Sequence, residues 1–293
     1  MNGQPFSHFF CPGLFRDDNV ELCEGHIVNQ AFPTHTNTAK AWTVQRKDVD
    51  NFYGQIESDF IGLQHRDRNA AEMLVDKDLS RIFKPQILAD GKPVGFFMSS
   101  RNIPEKFTRL EIYRNDQKYL FGLKNINNPE NVDLEIKIPP KDLRVPALVS
   151  LLKAAHLTLF EIFGYEYALS AAGHFVGWNI LGKFFAQNHK KSKSEVLENA
   201  ETFFKEYSCM VRPVQHSDIG FQGTVADKLC LICREQYSFP WAHIVFIKTS
   251  DILHAVIIPI LDEPYSVSKF LNFLRNREDI SFEVILVSIR KLC

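Results

Sequence analysis

Two stretches decide how this chain reads: Leu22-Cys23-Glu24-Gly25-His26-Ile27-Val28-Asn29-Gln30 and, a turn-and-helix length later, Asp48-Val49-Asp50-Asn51-Phe52-Tyr53-Gly54-Gln55-Ile56-Glu57. In the first, a histidine precedes two β-branched residues, which suits a strand that holds an imidazole rigidly. An imidazole with its unperturbed pKa of about 6.5 takes a proton from water at physiological pH. The second stretch places an amide and several carboxylates near a helix start. Oxygen donors of that kind suit hard divalent cations such as magnesium or manganese, which bind phosphate groups while keeping several waters. Asp48 or Asp50 caps the helix. Phe52, Ile56 and Phe60 then recur at helical spacing and put Asn51 and Asp59 on neighbouring faces.

The chain has 293 residues, 45% of them apolar and 24% charged, with a net charge of -1. That length predicts about two domains, since single cores stop growing near 250 residues. A nearly neutral protein has no bulk attraction for polyanions, so nucleic-acid affinity requires a local basic stripe. Lys40, Arg46, Lys47, Arg66 and Arg68 flank the two stretches, and His189-Lys190-Lys191-Ser192-Lys193 forms a second cluster. Both also read as solvated surface, the simpler origin of a charge run.

The segment Met1 to Phe10 lacks a basic region followed by an apolar core, so a cytoplasmic location and no secretory signal are expected. Tyr167 to Gly182 is the most apolar run, but Gly173, His174, Gly177 and Asn179 interrupt it, and no membrane span is expected. Six cysteines are too scattered for a disulfide scaffold. Cys230-Leu231-Ile232-Cys233 has metal-knuckle spacing, yet lies in an apolar run that reads as a strand without further ligands nearby. His156 and His174 fall on apolar helices and read as core histidines.

The periodicities predict an α+β fold in three parts: 1–66, a loop-rich hairpin and helix; 67–140, a helix and a β-rich section; and 141–293, a helical to α+β region. In the middle part, a helix is predicted over Arg68 to Phe83 and strands at Val94 to Met98, Thr108 to Tyr113, Lys118 to Leu123 and Asp133 to Ile138, with Asn115-Asp116 as a hairpin turn. Beyond Pro139-Pro140, helices are predicted at Pro146 to Phe163, Gly173 to Gln187, Ser194 to Tyr207 and Ser266 to Arg275. Strands are predicted at Leu229 to Cys233, Ile244 to Lys248 and Ala255 to Ile260.

His26-Ile27-Val28, followed by Asn51, Gly54 and Glu57 or Asp59, resembles the HNH, or ββα-metal, endonucleases. Leu151-Leu152-Lys153-Ala154-Ala155-His156 through Phe163-Gly164-Tyr165 resembles a helix that follows the nuclease module in some bacterial HNH proteins. The resemblance implies an N-terminal ββα-metal-like module in which His26 acts as general base and Asn51 orients the hairpin or the histidine. Glu57 or Asp59, with Asp48 as a further candidate, would hold magnesium or manganese. It also implies hydrolysis of phosphodiesters in DNA, as in bacterial restriction or anti-phage defence.

The pattern departs from the family at several positions. Gly25 replaces the usual charged neighbour of the histidine, and Asn29 replaces proline. Lys47 and Asp50 stand where a zinc-binding variant carries cysteines, which argues against structural zinc. These departures favour the alternative, a non-catalytic binding or scaffolding protein that keeps an HNH-like shell. The two readings separate on whether His26 and at least one of Glu57, Asp59 or Asp48 converge on a common point.

Overall fold

A computed structural model describes residues 11, 21–27, 42–63, 69–126, 132–139, 144–214, 228–233, 242–249, 252–260, 266–276 and 284–285. Among the described residues the fold is mixed α+β, 50% helical and 30% strand, with small antiparallel sheets, which excludes an all-α or all-β architecture. The chain divides into two compact units, one formed by Met1–Ile61 with Leu143–Cys293 and the other by Gly62–Asp142. The first and last of the three parts read from the sequence therefore contribute to one unit.

That unit begins with strand β1 (Leu22–His26), paired antiparallel with β2 (Trp42–Arg46). The chain then runs directly into helix α1 (Lys47–Leu63). Asp48 and Asp50 occupy its first turn, where negative charge complements the helix dipole. Val49, Tyr53, Ile56 and Phe60 form one buried stripe at helical spacing.

In the inserted unit the single helix expected over Arg68 to Phe83 is two, α2 (Ala70–Val75) and α3 (Lys77–Phe83). Asp76 makes the break, because its backbone is extended and its carboxylate caps the Leu79 amide at 3.1 Å. The single strand expected at Val94 to Met98 is also two. β3 (Gln86–Ala89), β4 (Lys92–Val94) and, later, β8 (Leu134–Lys137) form one sheet, ordered β4-β3-β8. β5 (Phe96–Ser99), β6 (Thr108–Arg114) and β7 (Gln117–Leu123) form the other, ordered β5-β7-β6. The switch of sheets occurs at Gly95, whose carbonyl accepts from the Lys124 amide at 2.7 Å. Asn115 and Asp116 both take positive φ, as a two-residue hairpin turn requires. Leu74, Val75, Ile87, Phe121 and Leu123 make the core of this unit.

Back in the first unit, α4 (Arg144–Phe163) is a 20-residue helix buried over most of its length. It is apolar enough to cross a membrane by length and composition, and 78% of that window is buried inside the fold. Its polar side chains are satisfied: Ser150 and Thr158 donate to the carbonyls of Pro146 and Ala154, and His156 Nδ1 lies 2.8 Å from the Tyr167 hydroxyl.

After α5 (Tyr165–Ala168), one helical run passes through α6 (Ala171–His174), a π-helical stretch over Phe175–Gly182, and α7 (Lys183–Asn188). Gly173 is required there, since a Cβ would stand 2.0 Å from the Tyr167 carbonyl oxygen. The helix expected over Ser194 to Tyr207 divides into α8 (Lys193–Glu198) and α9 (Glu201–Tyr207). Ser192 and Glu195 open α8 with a reciprocal capping box.

The remaining strands are β9 (Val211–Val214), β10 (Lys228–Cys233), β11 (Ala242–Thr249), β12 (Ile252–Pro259) and β13 (Val284–Ile285). They form an antiparallel sheet ordered β13-β10-β11-β12-β9, against which α4 packs. Helix α10 (Ser266–Arg275) lies between β12 and β13 in sequence.

Two histidines of this sheet report on the core. His243 lies against the rings of Phe163 and Tyr167, and His254 against Phe60. Burial pushes both from 6.5 down to about 4. Between those values the unfolded chain binds protons that the folded chain does not. Stability is therefore complete above pH 6.5, falls as the pH drops through that window, and levels off below about 4. Each histidine contributes at most about 1.4 kcal/mol per pH unit. Chemical denaturation between pH 7.5 and 4.5 should show this slope, and a folded His243→Gln/His254→Gln variant should flatten it; an equal slope in that variant would assign the effect to other groups.

Candidate functional site

The register of the hairpin sets the geometry of the candidate site. Gly25 pairs with Thr43 and His26 with Trp42. A Cβ on Gly25 would stand 2.3 Å from Gln45 Nε2 and 2.8 Å from Asp50 Oδ1, so this face of β1 turns toward α1. Cys23, two residues away, shares that face. Its thiol is pushed up first by burial and then by Asp50, and it also feels Lys153. Strand alternation sends His26, half-buried, to the opposite face. The imidazole and Asp50 therefore lie on different sides of the first strand, whereas Arg46, which holds Asp48, shares the face of His26 by register.

Each carboxylate named from the sequence meets a cation. Glu57, 5% exposed, accepts from Lys153 Nζ at 2.9 Å. Asp59, fully buried, is 2.9 Å from Lys193 Nζ. Asp48 is held by Arg46 through two bonds, Nε to Oδ1 at 3.0 Å and Nη2 to Oδ2 at 2.8 Å. The hydrogen bond from Arg46 holds the Asp48 carboxyl below its ordinary range. Lys47 pairs with Glu21 at 2.6 Å, and that hydrogen bond raises its pKa. Lys40, Arg66 and Arg68 lie outside the described residues.

Lys153 is the residue that the sequence reading missed. It lies inside α4, 2% exposed, with its ammonium also 3.4 Å from Asp50 Oδ1 and 5.9 Å from the centre of the Tyr53 ring. Burial alone would lower its pKa, but Glu57 and Asp50 outweigh it and the net shift is upward, so the ammonium stays charged. The visible signal was a lone lysine within an apolar helix. Its partner could not be read from the sequence, because Glu57 is 96 residues away.

Asn51 lies elsewhere on α1, on an exposed face shared with Gln55. Both line a cleft of about 230 Å³ whose other wall carries Phe185, His189, Lys191 and Lys193. His189 stacks on Phe185 with ring centroids 4.9 Å apart and planes 15° apart. Lys193 is oriented by its bond to Asp59, while Lys191 is exposed and lies near Glu195, whose carboxylate turns back onto the Ser192 cap. The second basic cluster of the sequence thus faces the first helix across this cleft.

Comparison of the chain with protein-family models, with curated proteins and with solved structures finds no match. The site is therefore interpreted from its chemistry. A divalent ion at Glu57, Asp59 or Asp48 would have to displace Lys153, Lys193 or Arg46, so these carboxylates do not fit a metal as they stand. Among the described residues, no three His, Cys, Asp or Glu side chains are grouped as metal ligands.

Removing one partner of a buried ion pair typically costs about 3–5 kcal/mol, because the other charge stays buried. Glu57→Gln should thus destabilise the protein by about 3 kcal/mol, toward the low end of that range, since Asp50 still faces the ammonium. Urea denaturation measures it; a loss below about 1 kcal/mol would mean that the pair is not a major support of this unit.

Proposed function

We propose that this chain is a non-catalytic nucleic-acid-binding protein, with DNA as its partner, built on an HNH-like strand–strand–helix hairpin. The observation that carries this reading is the ammonium of Lys153 between Glu57 and Asp50, a protein cation held among the carboxylates of α1. The hairpin is then a rigid element rather than a metal centre. The contact surface in this reading is the cleft of Asn51, Gln55, His189 and Lys191, whose exposed donors suit phosphate oxygens.

Binding of a labelled duplex and of a single strand over a salt series tests the reading. Each phosphate contact contributes about 0.7–0.9 to the slope of log K against log salt, so His189→Gln/Lys191→Gln should flatten it by about 1–2 units on every sequence tried. An unchanged slope would move the nucleic-acid surface away from the cleft. No binding by the parent protein would overturn the nucleic-acid reading in favour of a scaffold.

A second reading, a metal-dependent DNA endonuclease of bacterial restriction or anti-phage defence, is favoured by the β1–β2–α1 order with His26 closing the first strand. His26 would take a proton from the attacking water. Plasmid, single-stranded DNA and RNA incubated with magnesium, manganese or chelator distinguish the two. Cleavage that falls by about 100-fold in a folded His26→Ala variant would establish the enzyme and overturn the first reading. Cleavage unchanged in that variant would remove His26 from the mechanism.

A further inference from the structure

The cleft beside α1 has two unlike walls. On one, Asn51 and Gln55 stand exposed a helical turn apart, and among the described residues their side-chain amides make no hydrogen bond. On the other, Phe52 meets the ring of buried Phe185 edge-on, with centroids 5.3 Å apart, and exposed His189 stacks on that ring at 4.9 Å. An exposed ring lying on a buried one keeps its outer face open to a further planar group. The charges of Lys193 and Asp48 are answered by Asp59 and Arg46, whereas exposed Lys191 makes no ion pair among the described residues. The Lys193–Asp59 bond also ties the start of α8 to α1, so the walls are spaced before anything binds.

We propose that this cleft takes one unpaired nucleotide of a single DNA strand, its base stacked on His189 and its edge bonded by Asn51 or Gln55, with Lys191 on an adjoining phosphate. This rests on the nucleic-acid reading of the cleft and names the form of nucleic acid it selects. At about 230 Å³ the cleft is smaller than the roughly 300–1,000 Å³ of a pocket for a drug-sized ligand, and suits a single planar ring system. Each amide sets a donor beside an acceptor, the pattern of a base's hydrogen-bonding edge, whereas phosphate oxygens would use the donors alone. A base inside a duplex is stacked and paired, and must be flipped out before it can enter; a single strand pays no unpairing.

Three end-labelled DNA oligomers of one length test it: a natural strand of mixed sequence, a strand with the same phosphates made wholly of abasic sites, and the natural strand paired with its complement. Fluorescence anisotropy at one salt concentration should find the parent protein binding the natural strand about tenfold more tightly than either of the others, the size expected of one stacked base. Asn51→Ala/Gln55→Ala/His189→Ala removes the edge contacts and the stack but keeps Lys191. That variant should bring the natural and abasic strands to within about twofold of each other. All three positions are exposed, and a thermal melt checks that the variant is folded.

The comparison of natural and abasic strands needs no variant and decides first. Equal binding of the two by the parent, or tighter binding of the duplex, overturns the proposal and leaves the nucleic-acid reading standing. A preference for the natural strand that survives intact in the folded triple variant overturns it too, because the base is then held elsewhere. Binding of none of the three oligomers overturns the nucleic-acid reading and this proposal with it.

Discussion

One ammonium, buried where α1, α4 and the first hairpin meet, is the constraint on which this unit depends. The helix that carries Lys153 is apolar along most of its length, and α1 turns its own apolar stripe inward. Neither helix could bury a charge without an opposite charge on its partner. Lys153 with Glu57 and Asp50, and Lys193 with buried Asp59, supply those pairs. Apolar burial alone tolerates sliding by a residue or a turn. A buried pair that must meet within hydrogen-bond distance does not, and the two pairs fix the register of α1 against two different parts of the chain.

Local rules in the sequence were enough to read much of the fold. The apolar repeat through Phe52, Ile56 and Phe60 and the aspartates before it mark α1, although the buried stripe runs through Tyr53 rather than Phe52, and the alternation through Thr108 to Leu123 with Asn115-Asp116 between marks the β6–β7 hairpin. The errors came from single residues that override a periodic pattern. Asp76 stops α2 with its extended backbone and starts α3 with its side chain, Gly95 lets one apolar run serve two sheets, and a break before Glu201 separates α8 from α9. Nothing in a periodicity marks those points. The close packing of α6 on α5 was signalled only by the bare backbone of Gly173.

The candidate site was legible as chemistry and not as geometry. His26, Asn51, Glu57, Asp59 and Asp48 are polar residues at suggestive spacing, but spacing does not say which face of a strand a side chain takes or who sits opposite. Gly25 looking toward Asp50 decides that His26 looks away from that carboxylate. The partners of Glu57 and Asp59 come from α4 and from the start of α8, and no local rule reaches that far. The basic cluster at His189 to Lys193 read as ordinary surface because its opposite wall, Asn51 and Gln55, is supplied by a distant helix.

The placement of the inserted unit, Gly62–Asp142, also bears on how the protein is made. Helix α1 leaves the ribosome with Glu57 exposed to water, and the lysine that neutralises it follows 96 residues later. At about 5–20 residues per second, that interval is about 5–20 s. The inserted unit has its own core and can close during the wait, whereas the hairpin and α1 keep an apolar face and the Glu57 carboxylate without its lysine until α4 arrives, and Asp59 waits longer, for Lys193 of α8. The order of synthesis thus makes the middle of the chain the first part able to fold and leaves the amino-terminal helix dependent on chaperones or on its own charge for solubility until then.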